Sequence, residues 1–458
     1  MVRDEEGGSR RGPRSELALS DTDTIAAVAT PPGQGGVGIV RISGPMALKI
    51  GESIVGEPLP PRQALHANFT HEGELLDDGV GLYFMAPNSF TGQDVVELQG
   101  HGGPVVMQML LNAVLASGAR LARPGEFSER AFLNGQIDLA QAEAVADLIA
   151  SASTQAARGA VRSLSGEFSL LINQLDADVL KLRVHVEAAI DFPDEEVELL
   201  AQGRVGEQIE ALISAVQALT QRGRQGALLT QGISIAIIGA PNAGKSSLLN
   251  RLSGEEAAIV TDIPGTTRDL LKVDLVLDGL PVRLVDTAGL RDSTDPVEVE
   301  GVRRARLAAE TADLILEVWD LAVAQANTAP SSPERTLRVE NKIDLVNAPP
   351  GPVKDSPSTV RVSCLTGDGI KALKDAIKHG VGFTGEGSTF SARQRHIEAL
   401  NAALTGLENA AQRLEANAAA EIIAEELRLA HLALGEITGE TTPDDLLGSI
   451  FATFCIGK

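Results

Sequence analysis

The stretch that most limits what this chain can fold into is Gly239-Ala240-Pro241-Asn242-Ala243-Gly244-Lys245-Ser246. An apolar run of strand length, residues 233–238, leads into it. Ser247-Leu248-Leu249-Asn250 then continues as the opening of a helix. Strand, glycine-punctuated loop and helix in that order make a cradle for phosphate. The glycines let backbone N–H groups turn toward the anion, and the helix N-terminus adds positive potential at the same point. In such a cradle Lys245 reaches the β- and γ-phosphates and the Ser246 hydroxyl ligates Mg²⁺. Residues 232–378 go on to alternate strand and helix patterns, which predicts a doubly wound sheet around this loop.

Three further stretches follow in a workable order. Residues 282–285 are strand-like and end in Asp286-Thr287-Ala288-Gly289, where Asp286 would hold Mg²⁺ through water and the Gly289 N–H would sense the γ-phosphate. Asn341-Lys342-Ile343-Asp344 follows a third strand. The Asp344 carboxylate can accept from the ring N–H and the exocyclic amine of guanine. Adenine lacks that donor pair, and each lost partner costs roughly 1–3 kcal/mol. Ser363-Cys364-Leu365 follows residues 360–362 and would touch the base through its backbone. Together these imply a Ras-like G domain over residues 232–387. One position departs from the Ras pattern: Leu290 follows Gly289 where a glutamine would orient the attacking water. The segment beyond offers Arg291, Asp292, Asp295, Glu298 and Glu300, and spacing does not choose among them.

Length and composition bound the remainder. The 458 residues suggest two to four domains. Aromatics are only 3%, so the cores must be built from Ala, Leu, Ile and Val, which leans helical. A net charge of −23 argues against non-specific nucleic-acid binding, which needs clustered Lys and Arg, and leaves room for a local basic groove. Cys364 and Cys455 fit no metal-ligand spacing, and a reducing cytoplasm is the default for such a chain. No apolar run approaches the ~20 residues of a membrane span. Residues 1–21 mix acidic and basic groups without an apolar core and read as a disordered tail. Residues 22–137 look mixed α/β, with strand candidates at 25–30, 38–42, 80–84 and 94–98 and a helix at 103–118. Residues 138–231 and 388–458 share an Ala-, Leu- and Glu-rich helical pattern, as one helical domain interrupted by the G domain would.

Beyond the G domain the chain resembles the MnmE (TrmE) family of tRNA-modification GTPases. The resemblance runs from about residue 23 to 458. It rests on Asp23-Thr24-Ile25-Ala26-Ala27-Val28-Ala29-Thr30-Pro31-Pro32-Gly33, Gly38-Ile39-Val40-Arg41-Ile42-Ser43-Gly44, Glu97-Leu98-Gln99-Gly100-His101-Gly102-Gly103, Arg123-Pro124-Gly125-Glu126-Phe127 and Phe454-Cys455-Ile456-Gly457-Lys458. It implies an α/β plus all-α fold: an α+β tetrahydrofolate-binding domain that dimerises, then a helical domain into which the P-loop G domain is inserted. It further implies a homodimer acting with the FAD protein MnmG on the wobble uridine of certain tRNAs. The one-carbon unit would come from a 5-formyl- or methylene-tetrahydrofolate derivative.

The same resemblance carries over residue by residue. Asn242, Thr261, Ile263 and Thr266 correspond to K⁺ ligands, and Thr267 to the switch threonine on Mg²⁺. Glu298 corresponds to the family's water-orienting glutamate, which fills the gap at Leu290. Arg41, Glu97 and Lys458 match folate contacts, and Gln136 stands where the family usually has Lys, which removes a cation that could pair with a folate carboxylate. Gln34, Gln93 and Val302-Arg303-Arg304 also depart from the family pattern. Cys455 falls close to the one-carbon donor. Two functional readings stand: a GTPase whose cycle drives tRNA modification, and a GTP-dependent assembly or switch protein without modification chemistry. The G-domain motifs serve either, and the two ends of the chain favour the first.

Overall fold

The computed structural model describes residues 23–190, 204–256, 272–286, 310–323, 333–385 and 390–457. The described residues fall into two compact units, one within 1–142 together with 441–458 and one within 143–440.

The first unit is built on a six-stranded sheet: β1 Ile25–Val28, β2 Gly35–Ser43, β3 Leu65–His71, β4 Glu74–Phe84, β5 Val95–Gly102 and β6 Arg120–Leu121, in spatial order β3-β4-β5-β2-β1-β6. Only the β1–β6 pairing is parallel. Side chains alternate between faces along β1, so Ala26 joins one core and Ile25 and Ala27 another. The larger core holds Val40, Ile42, Phe69, Val96 and Leu98 under two helices, α1 Ala47–Val55 and α2 Pro104–Ala116. Pro104 opens α2, where its missing N–H costs nothing. The smaller core gathers Ile25, Ala27, Ala122 and Phe127, the last from α3 Glu126–Leu133.

The closing helix of the chain, Asp444–Ala452, belongs to this unit. Its Phe451 lies 6.2 Å from the Phe132 ring and 5.4 Å from Phe454. Residues 441–457 pack with the first unit. The apolar face of the last helix finds Phe132 and the turn at Gly125, a contact over three hundred residues away in sequence that local periodicity does not encode.

The second unit begins in α4 Leu139–Ala150, continues through α5 Thr154–Leu164, α6 Glu167–Ile190 and α7 Val205–Gln231, and resumes after the inserted sheet. Phe168 of α6 stacks on Phe390 at 4.4 Å. Buried Glu143 of α4 takes hydrogen bonds from Arg395 and His396. Burial pushes its carboxyl up, but these two partners outweigh that and hold it well below the usual range. His396 Nδ1 accepts the Arg393 N–H, so Nε2 carries the proton donated to Glu143.

The inserted part is a seven-stranded sheet: β7 Ile233–Gly239, β8 Lys272–Leu277, β9 Leu280–Asp286, β10 Leu314–Asp320, β11 Thr336–Asn341, β12 Gly351–Val353 and β13 Ser356–Arg361, in order β12-β13-β11-β10-β7-β9-β8. The five central strands run parallel and the two edge strands antiparallel. Near-continuous apolar runs such as 233–238 and 314–319 fit strands buried on both faces. Helices α8 Lys245–Glu256 and α9 Ile370–Gly380 contribute Leu248, Leu252, Leu373 and Ile377 to the common core, and α10 Gln394–Glu415 and α11 Ala420–Thr438 follow. Among the described residues no helix is long and apolar enough to cross a membrane.

Candidate nucleotide-binding site

The parallel strands β7, β10, β11 and β13 all end toward one edge of their sheet, and the loops leaving that edge carry the nucleotide motifs. The phosphate loop leaves β7 with Gly239 at φ +145°, Asn242 at φ +62° and Gly244 at φ +103°. The left-handed turns aim successive backbone N–H groups to one side, a nest for an anion. Lys245 heads α8 and folds its ammonium back onto the carbonyls of Gly239 and Ala240, at 2.9 and 3.0 Å. Ser246 and Ser247 are exposed in the first turn of α8, and Ala243 is buried beneath the loop.

Buried Asn341, at the end of β11, joins this loop to the loop after β13. Its Nδ2 donates to the Ala243 carbonyl at 3.0 Å, and its Oδ1 accepts the Cys364 N–H at 3.2 Å, which fixes the orientation of the amide. A Cβ on Gly244 would lie 2.1 Å from Asn341 Nδ2, so only glycine allows this approach. Asp344 is exposed, and its Oδ1 accepts from Ser363 Oγ at 2.6 Å. Ser363 is itself fully buried, and its Oγ also accepts the Thr366 N–H. Cys364 is partly covered, and burial pushes its thiol up to about 11, so it stays protonated near neutrality. Leu365 is 81% exposed. Lys342 stands at φ +65° and donates to Asp320 Oδ2 at 2.6 Å.

The structure thus brings Asn242, Ala243, Gly244, Lys245, Ser246, Ser247, Asn341, Lys342, Asp344, Ser363, Cys364 and Leu365 to one sheet edge. The backbone of Asp286 ends β9 at the same edge. Thr261, Ile263, Thr266, Thr267, Thr287, Ala288, Gly289 and Glu298 lie outside the described residues.

A second constellation sits in the first unit. Arg41 on β2 faces Glu97 across the β2–β5 ladder, and its Nε donates to Glu97 Oε1 at 2.9 Å. The guanidinium lies 5.8 Å from each of the Phe90 and Phe127 rings, and its Nη1 reaches the Gly457 carbonyl at 3.5 Å. The chain end is held again where the Gly125 N–H donates to the Cys455 carbonyl at 3.3 Å. Gly125 has φ +68°, and a Cβ there would lie 2.4 Å from the Phe451 carbonyl. Cys455 is exposed. Gln136, also exposed, has its amide over Gly92, in the loop that carries Phe90. Lys458 lies outside the described residues.

Comparison with known proteins settles the relationship. The family profile described as the MnmE helical domain matches residues 139–455, and that of the GTP-binding protein TrmE N-terminus matches residues 24–136. A protein of Coxiella burnetii (strain Dugway 5J108-111), "tRNA modification GTPase MnmE", is 52% identical over 446 residues, covering 95% of this chain and 99% of its own. One of Nitrosococcus oceani with the same name is 53% identical over 447 residues, covering 95% and 97%. The chain belongs to the MnmE family of GTPases.

Within this MnmE-family site, sequence reasoning passed over Asp320. The available signal was position: it closes an apolar run of strand length, 314–319, one strand over from Asn341. The contacts of Arg41 with Phe90 and Phe127 carried no sequence signal, because those residues come from a loop and a helix far along the chain.

Proposed function

We propose that the chain hydrolyses GTP in a K⁺-dependent reaction and couples this cycle to the addition of an aminomethyl or carboxymethylaminomethyl group at carbon five of a tRNA wobble uridine. It does so as a homodimer in the cytoplasm, together with the FAD protein MnmG. The observation that carries the guanine-nucleotide part is the linkage of phosphate loop and base loop through buried Asn341. The phosphates lie along Asn242, Ala243, Gly244, Lys245, Ser246 and Ser247, with Lys245 transferring its ammonium from the loop carbonyls to the β- and γ-phosphates. Asp344 reads the base, flanked by Lys342 and the backbone of Ser363, Cys364 and Leu365.

The donor set at the loop suits hard cations: exposed Ser246 offers a hydroxyl and exposed Asn242 an amide oxygen beside the phosphate nest. Ser246 and Thr267 would hold Mg²⁺, with Asp286 acting through water. Asn242, Thr261, Ile263 and Thr266 would hold K⁺. The two cations supply positive charge against the charge that develops during phosphoryl transfer. Thr287, Ala288 and Gly289 contact the γ-phosphate end, and Glu298 orients the attacking water.

In the first unit, Arg41, Glu97, Gln136 and Lys458 would hold a 5-formyl- or methylene-tetrahydrofolate derivative, which supplies the one-carbon unit. Paired charges flanked by two aromatic rings suit a polar heterocycle. Cys455 stands exposed at the same corner for the modification step.

The test has two arms. GTP hydrolysis should be much faster in K⁺ than in Na⁺ at matched ionic strength, and ATP should be a poor substrate. Glu298→Ala should lower kcat by about 100-fold or more with little change in nucleotide affinity. In the second arm, tRNA from a deletion strain should lack the wobble-uridine modification. Normal modification there would leave the switch-protein reading standing.

A further inference from the structure

We propose that Asp320 is a positioning residue for guanine recognition. Its carboxylate holds the Lys342 ammonium away from Asp344, so that Asp344 remains available to the base. The inference rests on Asp344 as the base-reading group and names the residue that protects that role.

Asp320 is the last residue of β10 and lies in register with Asn341, the last residue of β11. The turn after it is fixed: the Leu321 N–H donates to the Asn341 carbonyl at 3.0 Å, and Asp320 Oδ1 accepts the Ala322 N–H at 3.0 Å. That leaves Oδ2 aimed at Lys342 Nζ, 2.6 Å away. Both partners are partly covered, with 12% and 31% of their side chains accessible, so solvent screens the pair less than at an open surface. Lys342 also adopts φ +65°, a conformation a non-glycine residue holds only when its surroundings impose it.

The alternative partner for that ammonium is two residues away in sequence. Asp344 already accepts from Ser363 Oγ on Oδ1. Its other acceptor sites must meet the two donors of guanine. An unrestrained lysine on the same short loop would compete for them, since a carboxylate within a few ångströms of an ammonium is a strong acceptor. With Asp320 in place the competitor is neutralised by a group that does not touch the base. The loop therefore has two carboxylates with divided tasks. One takes the lysine and the other takes the nucleotide.

The experiment uses the full chain with Asp320→Ala, Lys342→Met, the double variant and Asp320→Glu. It measures affinity for GDP and for IDP, which lacks the exocyclic amine, together with melting temperature. Asp320→Ala should weaken GDP by about tenfold and IDP by less, so that discrimination falls. Lys342→Met keeps the stem and removes the ammonium. Adding Asp320→Ala to it should change the GDP-to-IDP ratio no further, a non-additive cycle that loss of general stability would not produce. Asp320→Glu should restore most of the discrimination. An unchanged ratio in Asp320→Ala, or strictly additive effects in the double variant, overturns the proposal. If Asp344→Asn leaves GDP affinity intact, the base-reading role fails as well. If Asp344→Asn is defective and Asp320→Ala behaves as wild type, only this inference falls.

Discussion

The nucleotide corner and the Arg41 corner are assembled from different kinds of sequence information. At the first, eight consecutive residues supply most of the geometry, and the chemistry is largely backbone: left-handed turns, a helix N-terminus and one buried amide spanning two loops. At the second, Arg41, Phe90, Glu97, Phe127 and Gly457 meet from five places in the chain, and the chemistry is side-chain charge and aromatic surface. A backbone-built site is written locally and is intolerant of added atoms. A side-chain-built site is written over the whole fold and depends on each partner keeping its charge.

The most severe test of that contrast is Cys455→Ser. In reconstitution with MnmG, the folate donor, FAD and ammonium it should abolish tRNA modification while K⁺-stimulated GTP hydrolysis is unchanged. Parallel loss of both, with a lowered melting temperature, would mean that the variant misfolds. Gly244→Ala probes the other side. Strain at φ +103° and the collision with Asn341 should weaken GTP by up to about 100-fold in a fluorescent-nucleotide titration, with tetrahydrofolate binding untouched. Asp344→Asn should be milder, about tenfold weaker for GTP with a gain for xanthosine nucleotides, whose exocyclic oxygen replaces the amine. Unchanged GTP affinity would remove Asp344 from base reading.

The smallest effect concerns acid. Glu126 is fully buried, which pushes its carboxyl up, but hydrogen bonds from Arg120, the Arg123 N–H and Arg130 outweigh this and hold it down at about 2 against an ordinary 4.5. A depressed folded value means that the group contributes stability above 4.5 and loses it as pH falls toward 2. Thermal melts across that window should show the first unit losing stability in the wild type, and Glu126→Gln should flatten that dependence.

How much could be read from the sequence follows the same divide. The strands carrying nucleotide motifs were legible, because each is a short apolar run ending in a recognisable loop. Strands β3 and β4 were harder. Leu65-His66-Ala67-Asn68-Phe69-Thr70-His71 sends only Ala67 and Phe69 fully inward, and Glu74-Leu75-Leu76-Asp77-Asp78 begins β4 with charge, so hydrophobic alternation is thin. Helix α1 was passed over entirely: residues 47–55 are short and contain Gly51, whose missing side chain makes room for Val96. For the Arg41 corner, the sequence offered residues through resemblance but no geometry. Nothing local says that Gly457 returns to Arg41.

The buried amide of Asn341 has a consequence for release. Because one side chain braces the loops after β7 and β13, a nucleotide seated between them as proposed would find that part of its site already ordered, and binding there would lose less entropy. The reverse also holds. On the proposed assignment, ejection would not require prying at two places, since turning this single amide away from Ala243 and Cys364 would slacken the phosphate and base loops together.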